Sequence, residues 1–288
     1  MTRFFGAAPA RVARLNPAPR QSCVTTARGA ATRLPFAALT LLLLACSAAP
    51  DTGTVDGAPS PGAGGGGAGS PATTGPNPLG RARCQAPAGV SASPGDVEQA
   101  VQLLNALPKP TSVACFVESL ARPLTVYATS SPFSAQPALS PASPRLFIKL
   151  GQLWLSVVID GDSSYLMEFG YLIDQEQMRS IKGELQLPLD AAIAPSAPFD
   201  RVRYQEGTVC GLCHLDEHQE MGVAFATAFS SAAFRPRPDS RVSLDNLRIA
   251  SQTCDWQVEP HRCEMLSAVF DGGEVSEVPF PDTMKTFF

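Results

Sequence analysis

Histidine is scarce in this sequence, and the local patterns of several common enzyme classes are missing. The chain has 288 residues but only three histidines, His214, His218 and His261, so few side chains could serve as the base of a hydrolytic triad. It has no His-Glu-x-x-His motif, no glycine-rich phosphate loop between a strand and a helix, and no Gly-x-Ser-x-Gly nucleophile elbow. These absences disfavour hydrolases, metalloproteases and nucleotide-binding enzymes.

The apolar run at 34–45 is too short to cross a membrane, because a spanning helix needs roughly 20 residues. It follows a stretch, residues 1–33, that carries six arginines and no acidic residue. A basic segment followed by a short apolar one is the layout of an export signal. We therefore predict that residues 1–45 form a signal peptide that is removed.

The end of that run, Leu-Leu-Ala-Cys at 43–46, resembles the bacterial lipobox. The resemblance implies that Cys46 is lipidated and becomes the first residue of the mature chain, anchored to a bacterial membrane in the cell envelope. Each buried CH₂ group of an acyl chain contributes about 0.8 kcal/mol, so two or more chains hold a domain at a membrane surface. The alternative is cleavage elsewhere, with Cys46 an ordinary thiol.

Residues 47–80 lack the apolar side chains that a folded core needs. All but five of these residues are Gly, Pro, Ala, Ser or Thr. Such a composition predicts a flexible linker with an r.m.s. span on the order of 30 Å. The linker would hold the folded part of the chain away from the anchor.

Clustered positive charge is also missing from the folded part, residues 81–288. Six of the 22 basic residues lie before residue 34, whereas only two of the 26 acidic residues, Asp51 and Asp56, lie before residue 81. That leaves 16 basic and 24 acidic residues, a net charge of −8. Nucleic acid is therefore not an expected partner, and the predicted contact with the membrane is through the lipid.

The hydrophobic pattern predicts a fold that is mainly β with some α. A helix is expected at about 94–107, where apolar residues recur on one face after Ser93 and Pro94. Short apolar runs between 112 and 190 predict an antiparallel sheet, folded as a β-sandwich or partial barrel. Helical periodicity returns near the C-terminus. We expect a β-rich domain at 81–205 and a mostly helical segment at 206–288.

Six cysteines remain once Cys23 leaves with the signal and Cys46 is lipidated. An even number in an exported chain indicates disulfides. If Cys210 and Cys213 have another role, the other four allow three pairings. We favour the two short, local pairings, Cys84 with Cys115 and Cys254 with Cys263.

Residues 210–214, Cys-Gly-Leu-Cys-His, resemble the haem-attachment motif of c-type cytochromes. The resemblance covers only these five residues. It implies one covalent haem c, with Cys210 and Cys213 in thioether links to the vinyl groups and His214 as the proximal iron ligand. Asp216 and Glu217 would then lie in the first turn of a following helix, as its dipole favours.

The distal ligand is less clearly marked. Met284 is the candidate, because it lies 70 residues beyond His214 on a proline-containing segment. Met265 and His261 compete with it, although Met265 also suits a helix core and His261 an exposed first turn. His218 and Met221 follow His214 so closely that a helix would keep them on the proximal side.

Three other functions remain open for the motif. Cys210 and Cys213 could bind zinc with His261 and Cys263 or Cys254, or they could form a redox-active pair. In the third case all six cysteines form disulfides in a haem-free binding module of the cell envelope. The expected function is electron transfer to or from a redox partner protein by a lipid-anchored haem c protein. An enzymatic activity, such as that of a peroxidase with an open distal site, is the less favoured alternative.

Overall fold

The structure, a computed structural model, describes residues 80–287. The predicted signal peptide, the lipidation site Cys46 and nearly all of the predicted linker lie outside these described residues. Within residues 80–287, no helix has both the length and the apolar character needed to span a membrane. The four cysteines predicted to form disulfides, and the Cys-x-x-Cys-His motif itself, all belong to the described part.

An eight-stranded sheet forms the centre of the fold, with strand order β10-β1-β2-β3-β4-β5-β9-β8. Every neighbouring pair is antiparallel except β1 and β10, which are parallel. The strands are β1 Leu124–Thr129, β2 Arg145–Leu150, β3 Leu153–Val158, β4 Leu166–Asp174, β5 Arg179–Gln186, β8 His218–Glu220, β9 Ala228–Ala232 and β10 Val275–Glu277. Two further short strands, β6 Arg203–Tyr204 and β7 Gly207–Thr208, form a separate hairpin.

Within residues 80–287, five α-helices accompany the sheet: α1 Val97–Ala106, α2 Val113–Ser119, α3 Ala197–Val202, α4 Leu244–Gln252 and α5 Pro260–Phe270. The expected β-rich antiparallel fold with helices near the C-terminus is thus confirmed. Strands from both sides of the expected boundary at 205/206 belong to the one large sheet. The helix expected at about 94–107 is present as α1, but it begins at Val97. Its N-cap is Asp96 and not Ser93, because the Asp96 side chain accepts from the backbone N–H of Gln99.

The segment Val-Ala-Cys-Phe-Val-Glu-Ser at 113–119 was expected to be a strand, and this prediction was wrong. It forms helix α2, with the Ser112 side chain accepting from the backbone N–H of Cys115 as its N-cap. Every residue of α2 is buried. A short segment that is buried on all sides shows neither helical nor strand periodicity, so length and composition alone misled the prediction.

The two faces of the sheet have different covers. Alternate strand residues such as Leu155, Phe169 and Ile181 belong to a large apolar core that includes side chains from all five helices. Residues between them point to the opposite face, because successive side chains in a strand alternate. That second face carries a smaller apolar cluster of Tyr127, Trp154, Leu172, Ala233, Phe280 and Met284.

The predicted disulfides, Cys84–Cys115 and Cys254–Cys263, are both present. The first fastens the start of the described chain to α2. The same junction has ion pairs from Arg81 to Glu118 at 2.8 Å and to Glu264 at 2.7 Å. The point where the predicted linker joins the fold is therefore held by covalent and ionic contacts on the helix-covered side.

Candidate functional site

The Cys-x-x-Cys-His motif lies on a short turn that follows the β6–β7 hairpin. Residues Val209–Leu212 form a 3₁₀ helix, which Thr208 caps by accepting from the backbone N–H groups of Cys210 and Gly211. The backbone N–H of His214 donates to the carbonyl oxygen of Cys210 at 2.8 Å. This bond brings the two ends of the motif together, so that Cys210 and His214 are held by one turn.

The helix that was expected to start near Asp216 and Glu217 does not form. Asp216 has a positive φ of 64°, which ends the turn, and the chain then enters strand β8 at His218. A left-handed residue is incompatible with helix propagation. The prediction failed because Glu217 makes contacts back to the start of the motif that sequence spacing does not indicate.

A row of charged and polar side chains crosses the second face of the sheet beside the motif. Arg145 on β2 pairs with Glu168 on β4 and also donates to Ser156 on β3. Lys182 on β5 continues the row, with its ammonium bonded to the Ser180 hydroxyl. These residues alternate with core residues along their strands, which places them on the face opposite the helices.

Burial disfavours the charged form of both the Lys182 side chain and the Cys210 thiol. Burial lowers the pKa of Lys182 to about 8, despite the favourable charges of nearby groups. Burial raises the pKa of Cys210 to about 12, and the negative charge of Glu168 adds to this effect. At neutral pH Cys210 therefore carries a neutral sulfur next to a protonated lysine.

The imidazole of His214 is fixed in position and held neutral. Its Nδ1 lies 2.8 Å from the carbonyl oxygen of Ala232, at the end of β9, so this nitrogen carries the proton and donates it. Burial, followed by the charge of Lys182, lowers the pKa of His214 to about 4. The ring also stacks on Phe234, with centroids 5.4 Å apart. The lone pair therefore stays on Nε2.

Glu217 follows the motif turn in sequence, and its side chain contacts the residues at the start of that turn. Its carboxylate accepts a hydrogen bond from the backbone N–H of Thr208 at 2.8 Å and a second from the Thr208 hydroxyl. It lies directly against Gly207 and Gly211, where no side chain interferes. A Cβ atom added to Gly211 would come within 2.8 Å of a Glu217 carboxylate oxygen. A side chain at position 211 would therefore force the Glu217 carboxylate to shift from this position.

The outer surface of the turn is unusually apolar. Leu212, Leu215 and Val209 are exposed by 66, 67 and 47% of their areas. A cleft of about 270 Å³ opens beside them, lined by residues 204–208 together with Gly211, Leu212 and Glu217. Large exposed apolar patches on soluble proteins mark places where something else binds.

The other candidate iron ligands lie outside the motif turn, and Met284 is the first of these. Met284 is 4% exposed and packs in the small apolar cluster of the second face. The chain segment that follows Met284 passes near the motif, since the ring of Phe287 lies 6.2 Å from the His214 ring. Met284 as a distal ligand stays a prediction.

Neither His218 nor Met221 lies on a helix after His214, contrary to the expectation. In the sheet, His218 lies opposite Ser230, and Ser230 lies opposite Ile181, whose side chain is on the helix-covered face. Residues directly opposite each other share a face, so the His218 side chain lies on that face and Lys182 on the other. Met221 is 85% exposed. On α5, Met265 is fully buried as expected, while His261 stacks on Tyr165.

The zinc hypothesis is overturned by the second disulfide. Cys254 and Cys263 are bonded to each other and so cannot supply thiolates. Among residues 80–287, no group of three or more His, Cys, Asp and Glu side chains is placed to hold a metal ion. A redox-active pair is disfavoured because such chemistry requires an accessible thiolate, which the raised pKa of Cys210 opposes.

Sequence reasoning missed Lys182, Thr208 and Glu217 as parts of this site. Thr208 has a detectable signal, since a threonine just before a short helical turn is a common N-cap. Lys182 and Glu217 have none, because both reach the motif through tertiary contacts. Comparisons of the chain with protein-family models, with curated proteins and with solved structures find no match.

Proposed function

We propose that this protein is a lipid-anchored electron-transfer protein of the bacterial cell envelope, with one haem c attached through Cys210 and Cys213. The observation that carries the proposal is the state of His214. When Nδ1 of a neutral imidazole donates to a backbone carbonyl, the lone pair on Nε2 is left for a metal. Histidines that bind a metal usually donate their other ring N–H to a carbonyl or carboxylate in this way.

The chemistry around Cys210 also suits a haem. A buried thiol near the negative charge of Glu168 is poorly suited to be a redox nucleophile, which needs a negative sulfur. A thioether is uncharged, so burial imposes no ionisation penalty on it. Cys210 lies outside both disulfides, as thioether formation requires. Cys213 follows at the end of the same turn.

The exposed apolar surface of the turn supplies a third argument. Val209, Leu212 and Leu215 would be covered, in whole or in part, by one face or edge of a porphyrin. Covering each such side chain contributes on the order of 1 kcal/mol or more. The iron of a haem is already held by four porphyrin nitrogens, so the absence of a three-residue metal cluster in the described chain does not conflict with the proposal.

When bound, a haem supplies a centre that gains and loses single electrons. The residues of this chain would bind and orient it. His214 presents its lone pair in one fixed direction, because Ala232 and Phe234 hold the ring. Lys182 and Arg145 place positive charge nearby, as their effect on the pKa of His214 indicates. Positive charge favours the reduced form of a redox centre over the oxidised form.

The anchor follows from the sequence alone. With Cys46 lipidated, the linker would join the fold beside Cys84, on the helix-covered side of the sheet. The motif lies on the other side. A Cys46→Ser variant tests the anchor: the protein should move from the membrane fraction to the soluble fraction, and retention in the membrane would contradict lipidation.

Haem attachment is tested by expressing the full-length chain in a bacterial strain with the cytochrome c maturation system. We expect a Soret band, a haem-stained band that survives denaturing electrophoresis, and an intact mass increased by one haem. The double variant Cys210→Ser with Cys213→Ser should lose all three signals, whereas His218→Gln should keep them.

A wild-type protein without covalent haem would overturn the proposal. Mass analysis after alkylation would then report the state of Cys210 and Cys213. A third disulfide in that material would support the alternative, a haem-free binding module with every exported cysteine except Cys46 in a disulfide.

A further inference from the structure

We propose that Glu217 is the positioning residue of the motif turn: its carboxylate, seated on Gly207 and Gly211 and bonded to Thr208, fixes the backbone that brings Cys210 and His214 together. The functional part of this inference rests on the proposed haem attachment. The conformational part does not, since it concerns contacts within the chain itself.

The contacts form a short relay. Glu217 accepts from both the backbone N–H and the hydroxyl of Thr208, so the Thr208 hydroxyl hydrogen points towards Glu217. The lone pairs of that hydroxyl oxygen are then directed at the backbone N–H groups of Cys210 and Gly211, at 3.1 and 3.3 Å. Hydrogen bonds to an ionised acceptor are the stronger ones, so the carboxylate sets the orientation of the whole relay.

The two glycines show that the carboxylate has a dedicated place. A Cβ on Gly211 would lie 2.8, 2.9 and 3.0 Å from the three terminal atoms of Glu217. A Cβ on Gly207 would approach one of the Glu217 oxygens still more closely. The Glu217 carboxylate thus occupies the space that side chains at positions 207 and 211 would need. Its bonds to Thr208 close the segment from Thr208 to Glu217, which contains the motif, into a ring.

Apart from the bonds to Glu217, the segment is held mainly towards its C-terminal end. The His214 ring bonds to Ala232 and stacks on Phe234, and the backbone N–H of Ala232 donates to the carbonyl oxygen of Leu215 at 3.1 Å. Val209 and Leu212, nearer the N-terminal end, are exposed. We therefore expect the turn to open locally when the carboxylate is removed, while the sheet and the helices keep their stability.

The primary test is hydrogen–deuterium exchange of the full-length exported chain, because it works with or without haem. In Glu217→Ala, exchange at the Thr208, Cys210 and Gly211 amides should become at least ten-fold faster. Glu217→Gln keeps one acceptor oxygen and should give an intermediate rate. Peptides from β3 and β4 should exchange as in the wild type.

Glu206→Gln is the matched control, because it removes the same charge from the same cleft. Wild-type exchange rates are expected for it. If Glu217→Ala leaves the turn protected, or if Glu206→Gln accelerates exchange equally, the positioning role is overturned.

A second measurement tests whether the contacts of Glu217 with Thr208 affect haem ligation. In the matured protein, Glu217→Ala should shift the visible spectrum from that of a His214-ligated iron towards a mixture, and Glu217→Gln should restore part of the wild-type spectrum. Faster exchange with an unchanged haem spectrum would refute the functional part of the inference. A wild-type chain that takes up no haem would refute the proposed function, and the exchange experiment would still decide the role of Glu217.

Discussion

The Nδ1 atom of His214 and the carbonyl oxygen of Ala232 lie 2.8 Å apart, and this contact connects the motif turn to the end of strand β9. It fixes the orientation of the imidazole by means of a residue 18 positions away in sequence. Because Ala232 contributes only its backbone, the arrangement depends on the position of β9 in the sheet. The site is therefore a product of the fold and cannot be reduced to five consecutive residues.

The first prediction concerns His214 itself. In the matured protein, His214→Gln should keep the covalent haem, because the thioether links do not involve the imidazole. Its reduced spectrum should lose the features of a histidine-ligated iron. Visible absorption of the purified variant checks this. A His214→Gln spectrum identical to that of wild type would show that another residue is the proximal ligand.

The fold was predictable where local pattern and final environment agree. Strands β1 to β5 have alternating or continuous apolar residues bounded by turns, and the structure places strands at all five positions. Helices α4 and α5 have helical periodicity and clear ends. Helix α2 was missed because its burial on every side removes periodicity.

The site was predictable only in part. Cys210, Cys213 and His214 are adjacent in sequence, so their association needs no knowledge of the fold. Lys182 comes from β5 and Ala232 from β9, and only the antiparallel register of these strands brings them to the motif. The helix expected at Asp216 failed for a related reason, because a tertiary contact of Glu217 outweighed the local preference.

A second prediction follows from the lowered pKa of Lys182. Its pKa falls from 10.5 unfolded to about 8 folded, so the unfolded chain binds more protons between these values and stability rises with pH across that window. Below pH 8 the full penalty applies, up to about 3 kcal/mol by linkage. In Lys182→Met, three hydrogen bonds of the ammonium are lost: one to the Ser180 hydroxyl and two long ones to the carbonyl oxygens of Ser180 and Ala232. This loss offsets about 2 kcal/mol of the stability gained by removing the buried charge.

We therefore expect Lys182→Met to be more stable than wild type by about 1 kcal/mol at pH 7. The difference should shrink and reverse as the pH approaches 10.5, because both states then hold a neutral lysine. Urea denaturation of both proteins at several pH values measures it. A stability difference that does not vary between pH 7 and 10 would contradict the lowered pKa.

The third prediction compares two glycines of the same region. Gly211→Ala places a Cβ 2.8 Å from a Glu217 oxygen, whereas nothing lies within 4 Å of a Cβ at Gly222. Overpacking of this kind costs about 1–3 kcal/mol, while an unhindered surface change stays within about 0.5 kcal/mol. We expect lower haem yield and stability for Gly211→Ala only. Equal effects of both variants would show that Glu217 can move aside.

The fourth prediction ranks the two disulfides. The pair Cys84–Cys115 spans 31 positions and Cys254–Cys263 spans nine. In the chain-entropy account they stabilise the fold by about 4 and about 3 kcal/mol, because a longer loop loses more freedom when closed. Replacing both cysteines of each pair by alanine and measuring chemical denaturation gives the order. A larger loss for Cys254–Cys263 would show that native-state contacts outweigh loop closure.

The fifth prediction tests Met284 as the distal iron ligand. In the structure its side chain is 4% exposed among aromatic residues that include Trp154 and Phe280. Met284→Leu is a volume-conserving swap that costs less than about 1.5 kcal/mol, and it removes the sulfur.

The near-infrared spectrum of the oxidised protein distinguishes a methionine ligand from a histidine ligand. If Met284 binds iron, Met284→Leu should abolish the methionine signature. Met265→Leu is the matched control, because Met265 is a fully buried methionine of helix α5 and the same swap there should leave the spectrum unchanged. A wild-type spectrum for Met284→Leu would assign Met284 to the apolar cluster alone, since its packing against Phe280 then suffices to explain its burial.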